Sequence, residues 1–306
     1  MTILLTVTML AVSASACGQG TPRAAKTAAE APGTSGTAAD APGRFWVTTP
    51  ADSLLAESVL VDLKGYLAEK VNVSTAELMV RAGKALKGQP YVAGTLDETP
   101  ERLRIYLTRT DCIIFVETCL ALARTAARNG DFQYFANEVR QSRYRDGHVE
   151  AYADRLHYTT EWARQGEARG VLQDVTRALG GAPLDHPVDY MSSHPEAYPL
   201  MDDPAAIRAA EDRINSEQRY YIPESKIAGA MSGIRSGDII CLVSGVDGLD
   251  ISHVGLALVE NGKVRLLHAS TGPMKVTEDS RTLQEYLAGR SSITGIQVLR
   301  PQVINP

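Results

Sequence analysis

Apolar residues recur at intervals of three and four over residues 53–67 and 75–86, a spacing that predicts two amphipathic helices. Residues 112–128 form a third helical run, which is apolar on almost every side over its first three turns. Such a helix must be buried on most of its surface. Residues 108–111, Thr-Arg-Thr-Asp, supply its N-cap candidates. We therefore expect a central helix that begins at Cys112.

Residues 131–221 are richer in charged and aromatic side chains than the segment before them. Short helical patterns separated by Gly and Pro predict a helical insertion here, and they cover residues 158–164, 171–179 and 204–217. After Pro223 the pattern changes to short β-type runs bounded by Gly, Asn and Asp. These runs are residues 238–243, 252–260, 263–269 and 295–300. Helices followed by a meander of strands predict an α+β fold.

A hairpin is expected between the second and third of these strands, because Asn261-Gly262 is a strong signal for a two-residue turn. With that turn, His268 pairs opposite Gly255, and His253 lies two residues along on the same face. The two imidazoles are then diagonal neighbours with Cβ atoms ~7 Å apart. A three-residue loop would instead place them on opposite faces of the sheet.

The composition indicates one globular domain. With 306 residues and 44% apolar positions, the chain can bury a sizeable core. The net charge is −5 at pH 7, and no run of Lys or Arg is long enough to neutralise a nucleic-acid backbone. We therefore exclude nucleic acid as a partner and place a single folded domain at residues 45–306.

The first 44 residues have the composition of an export signal followed by a tether. Residues 3–12 are apolar but too short to span a bilayer. They lead into Ala14-Ser15-Ala16-Cys17, which fits either simple signal cleavage after Ala16 or a lipidated Cys17. We expect a signal peptide over residues 1–16 and export to the cell envelope. The preferred form faces the periplasm and touches the membrane only through a lipid anchor at Cys17.

Residues 17–44 are rich in Gly, Ala, Thr, Pro and Ser. A segment of this composition cannot bury enough apolar surface to order itself. We expect a disordered tether between the anchor and the folded domain.

Cys112 is the candidate for chemistry because it opens the buried helix, where unpaired N–H groups and the positive end of the helix dipole stabilise a thiolate. A neighbouring imidazole can take the proton, and a second polar group can fix the orientation of that imidazole. His253 and His268 are candidates for these two roles. Cys119 and Cys241 have the pattern of inert core residues.

A metal-dependent amidase is an alternative, since four ligand-type side chains lie close together in sequence: Asp185, His186, Asp189 and His194. However, no helical His-Glu-x-x-His motif is present. The proline-rich surroundings also give this cluster no rigid scaffold. We therefore expect no metal and no other cofactor.

Seven short motifs, each weak alone, occur together in order along the chain. They are Tyr91, Thr110-Asp111-Cys112, Phe115-Val116-Glu117, Leu156-His157-Tyr158 with Trp162, Gly237-Asp238-Ile239, Ser252-His253-Val254-Gly255 and His268-Ala269-Ser270. In this combination the chain resembles the N-acetylmuramoyl-L-alanine amidase-like proteins. That family was first catalogued as a domain of unknown function within the NlpC-type cysteine peptidase superfamily. The resemblance extends from about residue 83 to residue 301.

The resemblance implies a papain-like core of the NlpC type, in which the cysteine helix packs on an antiparallel sheet. Cys112 is then the nucleophile, His253 its base and His268 the third, orienting residue. Substrate contacts are expected from residues in the motifs, which are Tyr91, Asp111, His157, Tyr158, Trp162 and Ser252.

Arg140 and Arg143 are further candidate substrate contacts, with Arg145 beside them, since a guanidinium binds a carboxylate of the stem peptide through two parallel hydrogen bonds. A solvated charged face is the alternative interpretation of these arginines. Ala153-Asp154, just before the Leu156-His157-Tyr158 motif, differs from the small Ala-Ser pair expected in the family.

The resemblance implies hydrolysis of the amide between N-acetylmuramic acid and L-alanine in peptidoglycan fragments, without a cofactor. One alternative is an endopeptidase of the same superfamily, which cuts the stem peptide between D-Glu and the diamino acid. A second alternative is a non-catalytic lipoprotein that binds wall fragments. Muropeptides are the expected partner in each case.

Overall fold

The computed structural model describes residues 45–303. The predicted signal peptide, the tether and Cys17 lie outside these residues. Within the described part of the chain, no helix is both long enough and apolar enough to cross a membrane.

The structure combines helices with one large sheet. The helices are α1 (Pro50–Glu69), α2 (Thr75–Ala85), α3 (Cys112–Ala127), α4 (Phe132–Arg143), α5 (Thr159–Ala168), α6 (Tyr190–Ser193), α7 (Pro204–Asn215), α8 (Ile227–Ala230) and α9 (Leu283–Leu287). The strands are β1 (Trp46–Val47), β2 (Leu103–Arg104), β3 (Leu172–Asp174), β4 (Ala182–Leu184), β5 (Arg219–Pro223), β6 (Ile239–Ser244), β7 (Ile251–Glu260), β8 (Lys263–Ser270), β9 (Lys275–Thr282) and β10 (Ile293–Pro301). Short 3₁₀ turns lie at Arg145–Gly147, Tyr152–Asp154, Pro195–Ala197, Glu224–Lys226 and Met231–Gly233.

Polar caps fix where the first three helices begin. Thr49, Ser74 and Asp111 each accept a hydrogen bond from the backbone N–H three residues further on. Each cap satisfies one of the N–H groups that a helix start leaves without an intrahelical partner. The predicted start of the central helix at Cys112 is confirmed.

The large sheet has the strand order β4-β5-β10-β6-β7-β8-β9, with β3 paired to the far end of β10. Its pairings are antiparallel. The β7–β8 hairpin has the predicted two-residue turn, because Glu260 pairs with Lys263 and both Asn261 and Gly262 have positive φ angles, 50° and 72°. That backbone matches the twist of the flanking strands. The α+β class and the hairpin register are both confirmed.

Two apolar layers cover the two faces of this sheet. α2 and α3 pack on the face of β7 and β8 that carries Leu256 and Leu267. Ala257 and Leu266 lie on the opposite face, with Tyr286 of α9. The alternation of neighbouring residues between the two faces follows from the period of two along a strand.

The segment 131–221 is less helical than its pattern predicts. The expected helix over residues 171–179 is wrong, because Leu172–Asp174 forms strand β3 and pairs with β10. Strands β4 and β5 also join this segment to the sheet. Strands of three to five residues are too short to show an alternation. Tertiary pairing decides their structure, and local pattern does not.

Candidate active site

The two predicted histidines meet on neighbouring strands. His253 of β7 and His268 of β8 are joined by a hydrogen bond of 2.6 Å between His253 Nε2 and His268 Nδ1, and their ring planes are nearly perpendicular, at 83°. Gly255 permits this approach, because a Cβ at that position would lie 2.9 Å from the Cβ of His268. The prediction that both imidazoles share one face and touch is confirmed.

Both imidazoles are neutral at pH 7. Burial lowers the pKa of His253 well below its usual value, and His268 and Arg290 lower it further. Burial also lowers the pKa of His268 to about 4, although the carboxylate of Asp279 opposes this shift. A neutral imidazole keeps a lone pair on one ring nitrogen, which a general base needs.

Asp279 and Tyr286, which the sequence analysis missed, complete the surroundings of the pair. Asp279 Oδ2 lies 3.6 Å from His268 Nε2, and Arg281 binds both oxygens of Asp279 at 2.9 and 2.7 Å. The Tyr286 ring lies 5.5 Å from the ring of His268 and 6.5 Å from that of His253, between centroids. One side of the pair is therefore carboxylate and the other aromatic.

Asp279 was missed because its strand was missed. In β9 only Val276 is both apolar and buried, so the segment shows no apolar repeat. Once β9 is known, the signal is simple. Thr277 pairs with His268, and alternation puts Asp279, two residues further on, on that same face.

Cys112 is the first residue of α3 and is fully buried. Asp111 precedes it and caps the helix, since its carboxylate accepts a 2.9 Å hydrogen bond from the N–H of Ile114. The partial positive charge at a helix N-terminus favours a thiolate at this position.

The other two cysteines of the domain lie in the core, as predicted. Cys119 and Cys241 are both free thiols with 0% exposure. Burial raises the pKa of each thiol above its usual value. Neither is therefore suited to act as a thiolate nucleophile.

The cysteine helix and the histidines approach the sheet from different sides. α3 rests on the face that carries Leu256 and Leu267, whereas the imidazoles face Tyr286. Cys112 is at the end of α3 and not in its body, and His253 is near the start of β7, beside an irregularity in the β6–β7 ladder.

Asp111 titrates in an unusual range. Burial raises the pKa of this carboxyl to about 7, with the nearby Glu117 adding to the shift and the hydrogen bond from Ile114 opposing it. Its carboxylate serves α3 as a cap. The structure therefore shows a capping role for Asp111, and its contact with a substrate stays a prediction.

Tyr91 lies in the apolar cluster of Cys112, and Ser252 is next to His253 in sequence. Tyr91 is buried in the same apolar cluster as Cys112, and its backbone N–H donates to Met274 across 2.9 Å. Burial and the neighbouring Asp111 raise the pKa of its hydroxyl. Ser252 is half-buried beside His253, and its hydroxyl donates to the carbonyl of Leu242 at 3.3 Å.

A small cavity of about 60 Å³ adjoins the first turn of α3. Its lining includes Asp111, Glu117, Arg143, Arg155 and His157. The Nε2–H of His157 donates a 2.8 Å hydrogen bond to the carbonyl of Tyr152. Burial, reinforced by Arg155, lowers the pKa of His157 to about 3. The predicted contact His157 thus lies at a charged cavity beside the cysteine helix.

Three other predicted substrate contacts have polar groups that are bonded within the chain, and their contact with a substrate stays a prediction. Arg143 is 4% exposed and is paired with Glu117 at 2.9 Å. The Tyr158 hydroxyl donates to Glu211 at 2.7 Å and accepts from the N–H of Met191 at 2.8 Å.

Trp162 is the third of these residues, and its indole N–H donates to Ser142 at 3.0 Å.

Arg140 is partly exposed, but its guanidinium also bonds within the chain, to the carbonyl of Gly147 at 2.9 Å and to Asn137 at 2.8 Å. Arg145 is paired with Glu161 at 2.9 Å. The guanidinium groups of the three arginines therefore form hydrogen bonds and ion pairs within the chain.

The candidate metal ligands do not converge. His186 Nε2 bonds to the carbonyls of Val246 and Leu249 at 3.2 and 3.1 Å, and His194 Nδ1 bonds to the carbonyl of Tyr190 at 3.0 Å. Over residues 45–303, no group of three or more His, Cys, Asp or Glu side chains is arranged to hold a metal ion.

Solved structures of two Bacteroides proteins are similar to this one. An N-acetylmuramoyl-L-alanine amidase from Bacteroides uniformis is 32% identical, with a TM-score of 0.68, and the match covers 74% of this chain and 99% of that one. A Bacteroides fragilis protein with a provisional xylanase name is 34% identical, with a TM-score of 0.64, over 71% of this chain and 98% of that one.

A protein from Legionella pneumophila shares the fold at 23% identity, with a TM-score of 0.61 over 84% of this chain and 97% of its own. No curated protein sequence matches the chain. The family model described as AmiA-like, N-acetylmuramoyl-L-alanine amidase-like, matches residues 81–295. Since this match spans well over half of the sequence, the chain belongs to the N-acetylmuramoyl-L-alanine amidase-like family.

Proposed function

We propose that the chain is a cysteine hydrolase that cleaves the amide between N-acetylmuramic acid and L-alanine in peptidoglycan fragments. The observation that carries this proposal is the 2.6 Å hydrogen bond between His253 and His268. A base held by a second polar residue is the arrangement that a cysteine nucleophile requires. Cys112, at the start of α3, supplies that nucleophile.

In the proposed reaction, His253 removes the proton from the reduced Cys112 thiol, and the sulfur attacks the lactyl carbonyl carbon. His253 then gives the proton to the nitrogen of L-alanine, which leaves as the free amine of the stem peptide. A thioester remains on Cys112. A water molecule, deprotonated by His253, hydrolyses it to the muramoyl carboxylate and regenerates the thiol.

The choice of bond is supported by the family and by the Bacteroides uniformis amidase, whose name states that activity. The cavity beside the first turn of α3 supports it as well, since it combines the polar groups of His157, Arg155 and Asp111 next to the nucleophile. Binding energy from such groups can align the scissile carbonyl with Cys112. A peptide without the sugar should therefore be a poor substrate.

Mass spectrometry of the products from defined muropeptides tests the proposal, with reduced wild-type protein and Cys112→Ala compared side by side. We expect a free stem peptide that begins with L-alanine, an intact sugar, and no product from the variant. A sugar still linked to L-Ala-D-Glu would instead assign the stem endopeptidase activity. Binding of muropeptides without turnover by reduced wild-type protein would assign the non-catalytic role.

We also propose that the chain is exported and that Cys17 carries the lipid anchor, on the basis of the Ala14-Ser15-Ala16-Cys17 segment. Labelled palmitate should enter the protein in a host with lipoprotein processing. A Cys17→Ala variant should lose the label. Unlabelled wild-type protein that is nevertheless shortened at residue 16 would indicate simple signal cleavage.

A further inference from the structure

We propose that Asp279 is a positioning residue that sets the proton positions in the His268–His253 pair, so that His253 presents an unprotonated Nδ1 to the nucleophile. This inference rests on the proposed function and deepens it. It concerns a residue outside the three motifs that carry Cys112, His253 and His268.

The geometry defines a line of polar groups. Asp279 Oδ2 lies 3.6 Å from His268 Nε2, and His268 Nδ1 lies 2.6 Å from His253 Nε2. His268 is fully buried, and within the described residues its Nε2 has no hydrogen-bond partner at normal distance. The carboxylate oxygen is the polar atom that faces this nitrogen, just beyond the ~2.7–3.2 Å range of an N–H···O hydrogen bond.

The proton count follows from this line. Two neutral imidazoles joined by one hydrogen bond have two possible arrangements. If His268 carries its proton on Nε2, facing Asp279, its Nδ1 accepts from the Nε2–H of His253, and His253 Nδ1 is left with a lone pair. If His268 carries its proton on Nδ1, it donates to His253 Nε2, and His253 must hold its own proton on Nδ1. Only the first arrangement leaves a base for the thiol of Cys112.

A carboxylate selects the first arrangement, because it accepts a hydrogen bond and has none to donate. Arg281 holds the Asp279 carboxylate in place with two hydrogen bonds and thereby keeps it ionised. The same argument applies to metal ligands and to serine hydrolases, in which a carboxylate behind a histidine fixes its tautomer.

The other charged groups near the pair do not make this selection. Arg281 and Arg290 lie over the Tyr286 ring, with Cζ 4.8 and 4.4 Å from its centroid, and as cations they disfavour protonation of both imidazoles without distinguishing their nitrogens. Tyr286 presents its ring to the pair. Asp279 is therefore the group whose removal changes the tautomers.

The test measures tautomers and kinetics on separate samples. ¹⁵N chemical shifts of His253 and His268 report which ring nitrogen is protonated, and they are recorded in a Cys112→Ala background so that thiol chemistry does not interfere. We expect both rings to be protonated on Nε2, and Asp279→Ala to move protons to Nδ1. With Cys112 intact and reduced, Asp279→Ala should lower kcat on the order of 10–100-fold with little change in KM.

The pH profile adds a second readout that a purely structural role would not move. Loss of the carboxylate removes a group that stabilises the imidazolium, so the acidic limb of kcat should shift to lower pH in Asp279→Ala. Asp279→Glu keeps the acceptor and should restore most of kcat. The matched control is Glu278→Gln, at the adjacent carboxylate, which pairs with Lys87 on the other side of β9.

Unchanged ¹⁵N shifts in a folded Asp279→Ala protein would overturn the inference, whatever the enzyme does to muropeptides. Equal losses of kcat in Asp279→Ala and Glu278→Gln would overturn it as well. If wild-type protein fails to turn over muropeptides while the shifts change as expected, the proposed function fails and the positioning role of Asp279 stands.

Discussion

The histidine cluster (His253, His268 and Asp279) and the insertion cluster (Arg143, Tyr158 and Trp162) differ in how fully their polar atoms are bonded. In the insertion cluster, Arg143 is paired with Glu117, the Tyr158 hydroxyl both donates and accepts, and the Trp162 indole donates to Ser142. In the histidine cluster, His268 Nε2 lies 3.6 Å from Asp279 Oδ2, which is too far for a normal hydrogen bond. His253 and His268 in one cluster, and Tyr158 and Trp162 in the other, come from motifs of the same family resemblance, yet the bonding of the two clusters differs.

The comparison shows that a residue in a motif need not be a residue available for chemistry, because its polar atoms can already be fully hydrogen-bonded. A buried polar group with every hydrogen bond satisfied stabilises one conformation and has nothing left for a substrate. A buried group that lacks a partner at normal distance is costly for folding, and such sites are where function is expected. Substitutions in the histidine cluster should therefore change turnover, and those in the insertion cluster should change stability.

The largest effect is expected at Cys112, the proposed nucleophile. Cys112→Ala should lower turnover on the order of 10⁴-fold or more, whereas Cys119→Ala and Cys241→Ala should retain most of it. The reason is that only Cys112 lies at a helix N-terminus, while burial raises the pKa of the other two thiols. Muropeptide turnover in the presence of a reductant is the measurement. A comparable loss in a folded Cys119→Ala protein would contradict the assignment.

The two histidines should differ in a defined order. His253→Ala removes the group that transfers the proton and should lower kcat by roughly 10³-fold or more, whereas His268→Ala removes alignment only and should cost about 10–100-fold. Steady-state kinetics on both variants, with circular dichroism to confirm folding, provide the comparison. Equal or reversed losses would exchange the two roles.

The fold was largely predictable because its main elements have strong local signals. α3 is apolar on nearly all sides and has a capping Asp111, and the Asn261-Gly262 turn alone fixed the register that brings His253 and His268 together. The short strands β3 and β4 were not predictable. Three residues carry no usable period, and their conformation depends on pairing with β10 and β5.

The site was predictable where chemistry depends on position in a regular element. The place of Cys112 at a helix start and the contact between the two histidines were predicted in this way. Asp279 was not found, because β9 has too few apolar residues to be recognised as a strand. The ion pair of Arg143 was not predicted, because its partner Glu117 is 26 residues away in sequence and charge alone does not reveal such a contact.

Removal of Arg143 should test the insertion side of the comparison. Arg143→Ala leaves Glu117 buried and unpaired, a change that costs about 3–5 kcal/mol of unfolding free energy. Denaturant unfolding measures it, and Arg140→Ala, at a more exposed position on α4, is the matched control with an expected change below about 1 kcal/mol. If Arg143→Ala kept its stability and raised KM alone, the clamp role first expected from the sequence would be restored.

The smallest effect is expected at Asp111, the N-cap of α3, which should change the pH dependence of stability. Its folded-state pKa, about 7, is above its ordinary value of 3.8, so the native protein binds more protons than the unfolded chain between these values. The contribution of Asp111 is therefore fully present below pH 3.8 and is lost as pH rises through 7.

Asp111→Asn keeps a good N-cap and removes the charge. Its stability relative to wild type should rise by about 1–3 kcal/mol between pH 5 and pH 8.5. Asp52→Asn is a control of opposite sign. Burial raises the pKa of Asp52, but hydrogen bonds from Thr49, Thr108 and Leu107 outweigh burial and lower the pKa overall, so that variant should lose stability at neutral pH and approach wild type on acidification. Denaturant unfolding curves at pH 5 and pH 8.5 measure these free energies. If the difference in unfolding free energy between wild type and Asp111→Asn were the same at both pH values, the Asp111 carboxylate would already be ionised at pH 5.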